Sequence, residues 1–326
     1  MKNLVLSMLA MASISVLSSC SSENDVIDEV TGGDQDKVEI KLNTGVGVIT
    51  TKADAVTDLK DQNITILRQD GSSTPSDWTT YSGANYTVGN DGSITLNSEQ
   101  KYYDNSSTPK NSYFIGIYPQ VSTAPTSGNT ITFTNEIGDH DILCSQVYDA
   151  GSKISQTDAT TNNMKFDHML SQVKIQLEAT TSAATAFGKV KKIIIKNMPK
   201  ALDLSLKDKT ITANATPENT NMTVYDNASG ENIGTATIPD KFLIPGLGKL
   251  DATDLQIIIV TDNYNTDESK TITISGIKTL VNSAETYGTL AGYKHTIKIT
   301  FNDNISISTE VNSIQTGGEG SGNVEN

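Results

Sequence analysis

From Val38 onward the apolar residues of this chain fall in short runs, many alternating with polar ones, closed by asparagine, glycine, aspartate or proline. Side chains of an extended strand point to opposite faces in turn, so a run such as Val38-Glu-Ile-Lys-Leu42 buries one face and wets the other. No amphipathic helical stretch of convincing length follows the N-terminus, and the pattern predicts an all-β chain. A length of 326 residues suits two domains. The polar connector 150–163 sets their boundary, with one β-sandwich over 37–160 and a second over 161–315. The glycine-rich polar tail, 316–326, is expected to be disordered.

The stretch Phe166-Asp-His-Met-Leu-Ser-Gln-Val-Lys-Ile-Gln-Leu177 reads as one long strand with a fault. Phe166, His168 and Leu170 share one parity, and Val173, Ile175 and Leu177 share the other. A β-bulge at Ser171-Gln172 would bring both sets to the same core.

Residues 1–19 have the parts of an export signal: Lys2 in a positive start, a short apolar run from Leu4 to Leu17, and small residues before Cys20. That run is shorter than the roughly 20 residues of a membrane-spanning helix. Leu17-Ser-Ser-Cys20 resembles the lipobox of bacterial lipoproteins, which implies acylation of the Cys20 thiol, cleavage just before it and attachment to outer-membrane lipid. The acidic segment 20–36 reads as a flexible tether. Cys144 is then the only other cysteine, so an internal disulfide is excluded.

Further strands are predicted at 63–68, near 78–81, and at 93–96, 113–119, 130–134 and 142–148, with a tight turn at Asn90-Asp-Gly92. The second half should hold strands at 189–196, 222–225, 235–238, 241–246, 255–261, 269–275, 293–301 and 305–311, with a hairpin joining 202–206 to 209–213. No repeat of the length of a solenoid or propeller unit is visible.

The formal charge of −14, with Arg68 the only arginine, argues against nucleic acid as a partner. Asp139-His140-Asp141 with Cys144 gathers carboxylate, imidazole and thiol, yet such a cluster is more often a solvated loop than a metal site. His168 lies on the apolar parity of its strand and reads as a core histidine, and His295 is far from it in sequence. Residues 263–268 resemble a calcium loop only in composition, lacking its glycine and late glutamate. No nucleophile elbow or phosphate-binding glycine loop is present, so no catalytic residue, metal or cofactor is assigned and no enzyme is expected.

Four segments in order resemble the fimbrillin family, lipoprotein pilus subunits of Gram-negative gut and oral anaerobes: the lipobox with its acidic tether, Tyr113-Phe-Ile-Gly-Ile-Tyr-Pro119, Phe166-Asp-His-Met-Leu-Ser-Gln-Val173, and Leu290-Ala-Gly-Tyr-Lys-His-Thr-Ile-Lys-Ile-Thr-Phe301. The resemblance implies two tandem transthyretin-like β-sandwich domains, display at the cell surface, and proteolytic removal of the first strand. The vacated groove would accept an extended strand from another pilus subunit, a case of β-strand addition. Val38, Ile40, Leu42, Val46 and Val48 are the candidate displaced strand, and Ile305, Ile307 and Val311 the candidate donor. Lys52 stands where the family has its processing arginine, and Ile314 where it often has a tryptophan. The rival reading is a monomeric surface lipoprotein that binds glycans of a host or bacterial surface in an aromatic cleft formed by Trp78, Tyr81, Tyr86, Tyr102 and Tyr103.

Overall fold

In the computed structural model, the described residues are 37–46, 56, 58–135, 137–214, 216, 218–250, 255–264, 271–281, 284–302 and 306–313. The export signal, the tether, Cys20, Val48, Lys52, Ile305, Ile314 and the tail lie outside them.

The first half carries β1 (Leu42–Val46), β2 (Asn63–Gly71), β3 (Ser82–Thr87), β4 (Ser93–Ile94), β5 (Asn111–Tyr118), β6 (Thr130–Thr134), β7 (Leu143–Ser145), β8 (Tyr148–Asp149), β9 (Gly151–Ser152), β10 (Ser155–Gln156) and β11 (Met164–His168). The second carries β12 (Ser171–Ala179), α1 (Thr181–Phe187), β13 (Val190–Met198), β14 (Ala201–Ser205), β15 (Thr210–Ala213), β16 (Thr220–Glu231), β17 (Lys241–Leu243), β18 (Leu255–Thr261), β19 (Thr271–Ile274), β20 (Lys278–Val281), β21 (Ala284–Tyr287), β22 (Tyr293–Phe301) and β23 (Ser306–Ser313). Among the described residues the chain is all-β apart from one short helix, which sequence periodicity does not reveal. Its start is set by Thr180, whose hydroxyl accepts from the Ala183 N–H at 3.2 Å.

The largest sheet runs β3-β2-β5-β7-β11-β1-β4, with β8 paired to β5. Its central strand β5 is buried from Ser112 to Ile117, and so contributes to cores on both faces. Phe114 joins one core with Ile40, Leu42, Ile64, Ile66, Tyr86, Met164 and Phe166. Tyr113, Ile115 and Ile117 join another with Trp78, Leu202, Leu204 and Leu206. The strand bearing those leucines, β14, pairs with β6 on one side and β15 on the other, so a three-stranded sheet joins segments from both halves of the chain. A third core is a sandwich: β17-β12-β22-β23 faces β16-β13-β18-β19, with Val173, Ile175, Leu177, Ile297 and Ile299 against Val190, Ile193, Ile195, Ile257 and Ile259.

Three expectations need correction. The stretch 166–177 is two strands, not one with a bulge at Ser171-Gln172. The chain leaves the large sheet after His168 and joins a different sheet at Ser171. Met169 and Leu170, between the two strands, are themselves buried. Residues 235–238 form no strand, whereas the hairpin of β20 and β21 was not predicted. The strand expected near 78–81 is a single bridge at Thr80, whereas the turn expected at 90–92 forms, with the Gly92 N–H bonded to Gly89 O at 2.9 Å, and β4 beyond it pairs with β1.

Candidate functional site

The site is the seat of the N-terminal strand. Alternation places Ile40 and Leu42 inward, where they are 4% and 2% exposed, with Val38 half-buried on the same side. Glu39 faces out and pairs with Lys101 at 2.7 Å. Backbone bonds fasten the segment along its length: Tyr103 N–H to Val38 O at 3.0 Å, Ile40 N–H to Lys101 O at 2.7 Å, and Thr44 N–H to Gly92 O at 2.9 Å. Gly92 adopts φ +83°, and a Cβ there would stand 2.6 Å from the Asn43 side-chain oxygen, so the turn that receives the strand requires glycine.

Strand β1 is held on both edges. Leu42 and Asn43 pair antiparallel with Ile94 and Ser93, while Thr44, Gly45 and Val46 pair parallel with Met164, Lys165 and Phe166. It is therefore an inner strand, although it lies nearest the N-terminus. Phe166 is completely buried at this seam, and Gly116 of β5 makes room for its ring. The Lys101–Tyr103 dock and Gly116 escaped the sequence reading, because alternation shows which face a residue takes and not what it meets.

Of the candidate donor residues, Ile307 and Val311 lie in another sheet. Strand β23 is the outer strand of its sheet, paired to β22 with Ile307 opposite Ile299 and Val311 opposite His295. Among the described residues the displaced and donor candidates are thus not brought together within one chain.

The titratable cluster divides into separate contacts. Asp139 meets Lys241, and Asp141 is 2.5 Å from Nδ1 of buried His168. His140 is exposed, and burial pushes the Cys144 thiol up to about 11. Among the described residues no three of these groups converge as a metal site. Of the calcium-like segment, residues 265–268 lie outside the described residues, and the Asn263 amide donates to Ala186 O at 2.9 Å.

The expected aromatic cleft is corrected in part: Tyr81, Tyr102 and Tyr103 border one surface cleft, and Trp78 and Tyr86 do not. Trp78, Tyr81, Tyr86 and Tyr103 are buried. Their hydroxyls bond inward, Tyr81 to Ser127 O, Tyr86 to Gln100 Oε1 and Tyr103 to Ala150 O. Only Tyr102 stays half-exposed, with Lys37 and Lys101 Nζ at 5.3 and 5.5 Å from its ring centre. A tyrosine hides an apolar ring behind a polar tip, so composition alone does not separate core from surface.

The fold is that of a candidate cell adhesion protein from Bacteroides uniformis, with a TM-score of 0.55 at 17% identity, covering 86% of this chain and 99% of that one. A second such protein, from Bacteroides ovatus, gives 0.52 at 15% identity over 85% and 98%. None of the curated proteins compared matches the chain. The profile of the fimbrillin-like family matches residues 51–315, most of the length. The chain belongs to the fimbrillin-like family.

Proposed function

We propose that the protein is a structural subunit or tip adhesin of a cell-surface pilus, exported as a lipoprotein and assembled by exchange of its first strand. In this reading residues 1–19 are removed, Cys20 holds outer-membrane lipid, and 20–36 is the tether to two sandwich domains, 37–160 and 161–315. Cleavage at Lys52 releases the first strand, and residues 305–311 of another subunit fill the place left behind.

The observation that carries the reading is the seating of an N-terminal strand as an inner strand, bonded on both edges. Burial of Ile40 and Leu42 is worth about 1.5–3 kcal/mol each. Against a typical domain stability of about 5–15 kcal/mol, the stripped subunit stands close to unfolding until another strand restores both apolar burial and backbone bonds. Assembly and folding are then one process, and the partner is another subunit.

The test is limited digestion of the lipid-free protein with a lysine-specific protease, followed by N-terminal sequencing and size analysis. Ladders of oligomers that appear only after cleavage between residues 42 and 55 are the expected result. Cleaved protein that stays monomeric would defeat the reading.

A further inference from the structure

Strands β2 and β3 part company at one point. Their pairing ends at Arg68 opposite Ser82, while β2 continues to Gly71 against β5. On the other side of the fork the chain turns away, Thr80 bridging to Ser127 and the Tyr81 N–H bonding to Thr126 O at 3.3 Å. Gln100 pins the fork where it opens, its amide donating to Ser82 O at 2.8 Å and to Ile66 O at 3.3 Å. The loop around Glu99 and Tyr102 closes the far wall, and a solvent-open cleft of about 600 Å³ results.

The chemistry of this cleft restricts its occupant. Arg68 is buried and gives Asp70 both halves of a fork, at 2.9 and 3.1 Å, so its charge is cancelled within the wall. Glu99 and Asp104 then leave the cleft acidic, which disfavours sialylated, sulfated or phosphorylated ligands. The carboxylates do not converge as a metal site, which fits hydroxyls spread around a ring better than a single cation. Thr80, Ser82 and Tyr102 add hydroxyl groups that donate as well as accept, as a polyol requires and an amine does not. The volume lies within the roughly 300–1,000 Å³ of small-ligand sites.

We propose that this cleft binds an uncharged hexose unit of a glycan, whose hydroxyls donate to the Glu99 and Asp70 carboxylates and exchange hydrogen bonds with the Thr80 hydroxyl, rather than one held by stacking on aromatic faces. The site gives a ligand to the surface-subunit reading and rests on that reading only for its cellular setting.

The experiment is calorimetric titration of the intact, uncleaved protein with methyl α-mannoside, methyl β-galactoside, N-acetylglucosamine and 3′-sialyllactose, with spermidine as a cationic control. At least one neutral sugar should bind saturably, and sialyllactose should not. The exposed substitutions Glu99→Gln and Thr80→Ala should each weaken binding about fivefold, the loss of one hydrogen bond, with Tm unchanged. No binding by any neutral sugar, tighter binding of spermidine, or binding indifferent to both substitutions would overturn the proposal. Uncleaved protein is used throughout, so failure here leaves strand exchange standing. A failure to polymerise leaves the sugar result standing in turn.

Discussion

Gly116→Ala tests how tightly the floor of the strand seat is packed. A Cβ at position 116 would stand 2.2 Å from Phe166 Cζ, 2.8 Å from Cε1 and 3.2 Å from Met164 Cε. Carbon atoms rest at about 3.5–4.0 Å, so the ring must retreat by about 1.3–1.8 Å. Phe166 is wholly buried and lies on β11, directly opposite Val46 of β1, so the retreat presses on the first strand. An interior packed to crystal density has little void to absorb it. Overpacking of this kind costs about 2–3 kcal/mol. Phe166→Leu alone should cost about 1–2 kcal/mol, while in the double variant the smaller side chain leaves room for the methyl group. The double variant should therefore lose at least about 1 kcal/mol less than the sum of the singles. Urea unfolding followed by fluorescence of Trp78, the sole tryptophan and itself 1% exposed, measures all four proteins. Strict additivity, or a Gly116→Ala variant within about 0.5 kcal/mol of the parent, would refute the packing argument.

Two other perturbations act on buried polar groups of the second half. Burial pushes His295 down to about 4, and its Nε2 accepts the Leu290 N–H at 3.1 Å. The folded value lies below the unfolded 6.5, so the contribution of this residue is complete above pH 6.5 and falls as pH drops toward 4, by about 3 kcal/mol in all. Urea midpoints at pH 7.5 and 4.5 should fall further in the parent than in His295→Gln, and equal falls would contradict the assignment. Lys294 and Asp240 meet at 2.6 Å with side chains 8% and 6% exposed. Lys294→Met should cost about 3–5 kcal/mol by stranding the carboxylate, and adding Asp240→Leu should recover most of it. A single variant as stable as the parent in thermal melts would show that the pair carries no such cost.

What the sequence made legible follows from what alternation encodes. The strands 255–261 and 293–301 were read at their true ends, because turn residues flank strongly apolar runs. Val38, Ile40 and Leu42 were likewise placed on the buried face. Partners were not legible. The pairing of β6 with β14 joins Thr130–Thr134 to Ala201–Ser205, and nothing in either run names the other. The fork between β2 and β3 was invisible for the same reason, since it depends on where 79–81 finds its own partner.

The stretch 166–177 shows how a correct reading of parity can carry the wrong geometry. A bulge keeps a strand in its sheet and shifts its facing by one residue. A crossing between sheets shifts the facing too, and both solutions bury Phe166, His168, Val173, Ile175 and Leu177. The difference lies in Met169, of the opposite parity, which a bulge would leave on the outer face and the crossing buries in the same core as Leu170. Among the described residues β11 pairs with β1 over three residues, Met164 to Phe166. The described part of the first strand is anchored by Ile40 and Leu42, with Val38 half-buried beside them, and by backbone bonds that any extended chain can supply. In the proposed assembly such a strand gives way to another of the same alternation, which charged pairs locking both edges would oppose. Among the described residues, of the outward 39 and 41, Glu39 alone makes an ion pair across the edge, and it does so at the surface, where such pairs are worth about 0–1 kcal/mol.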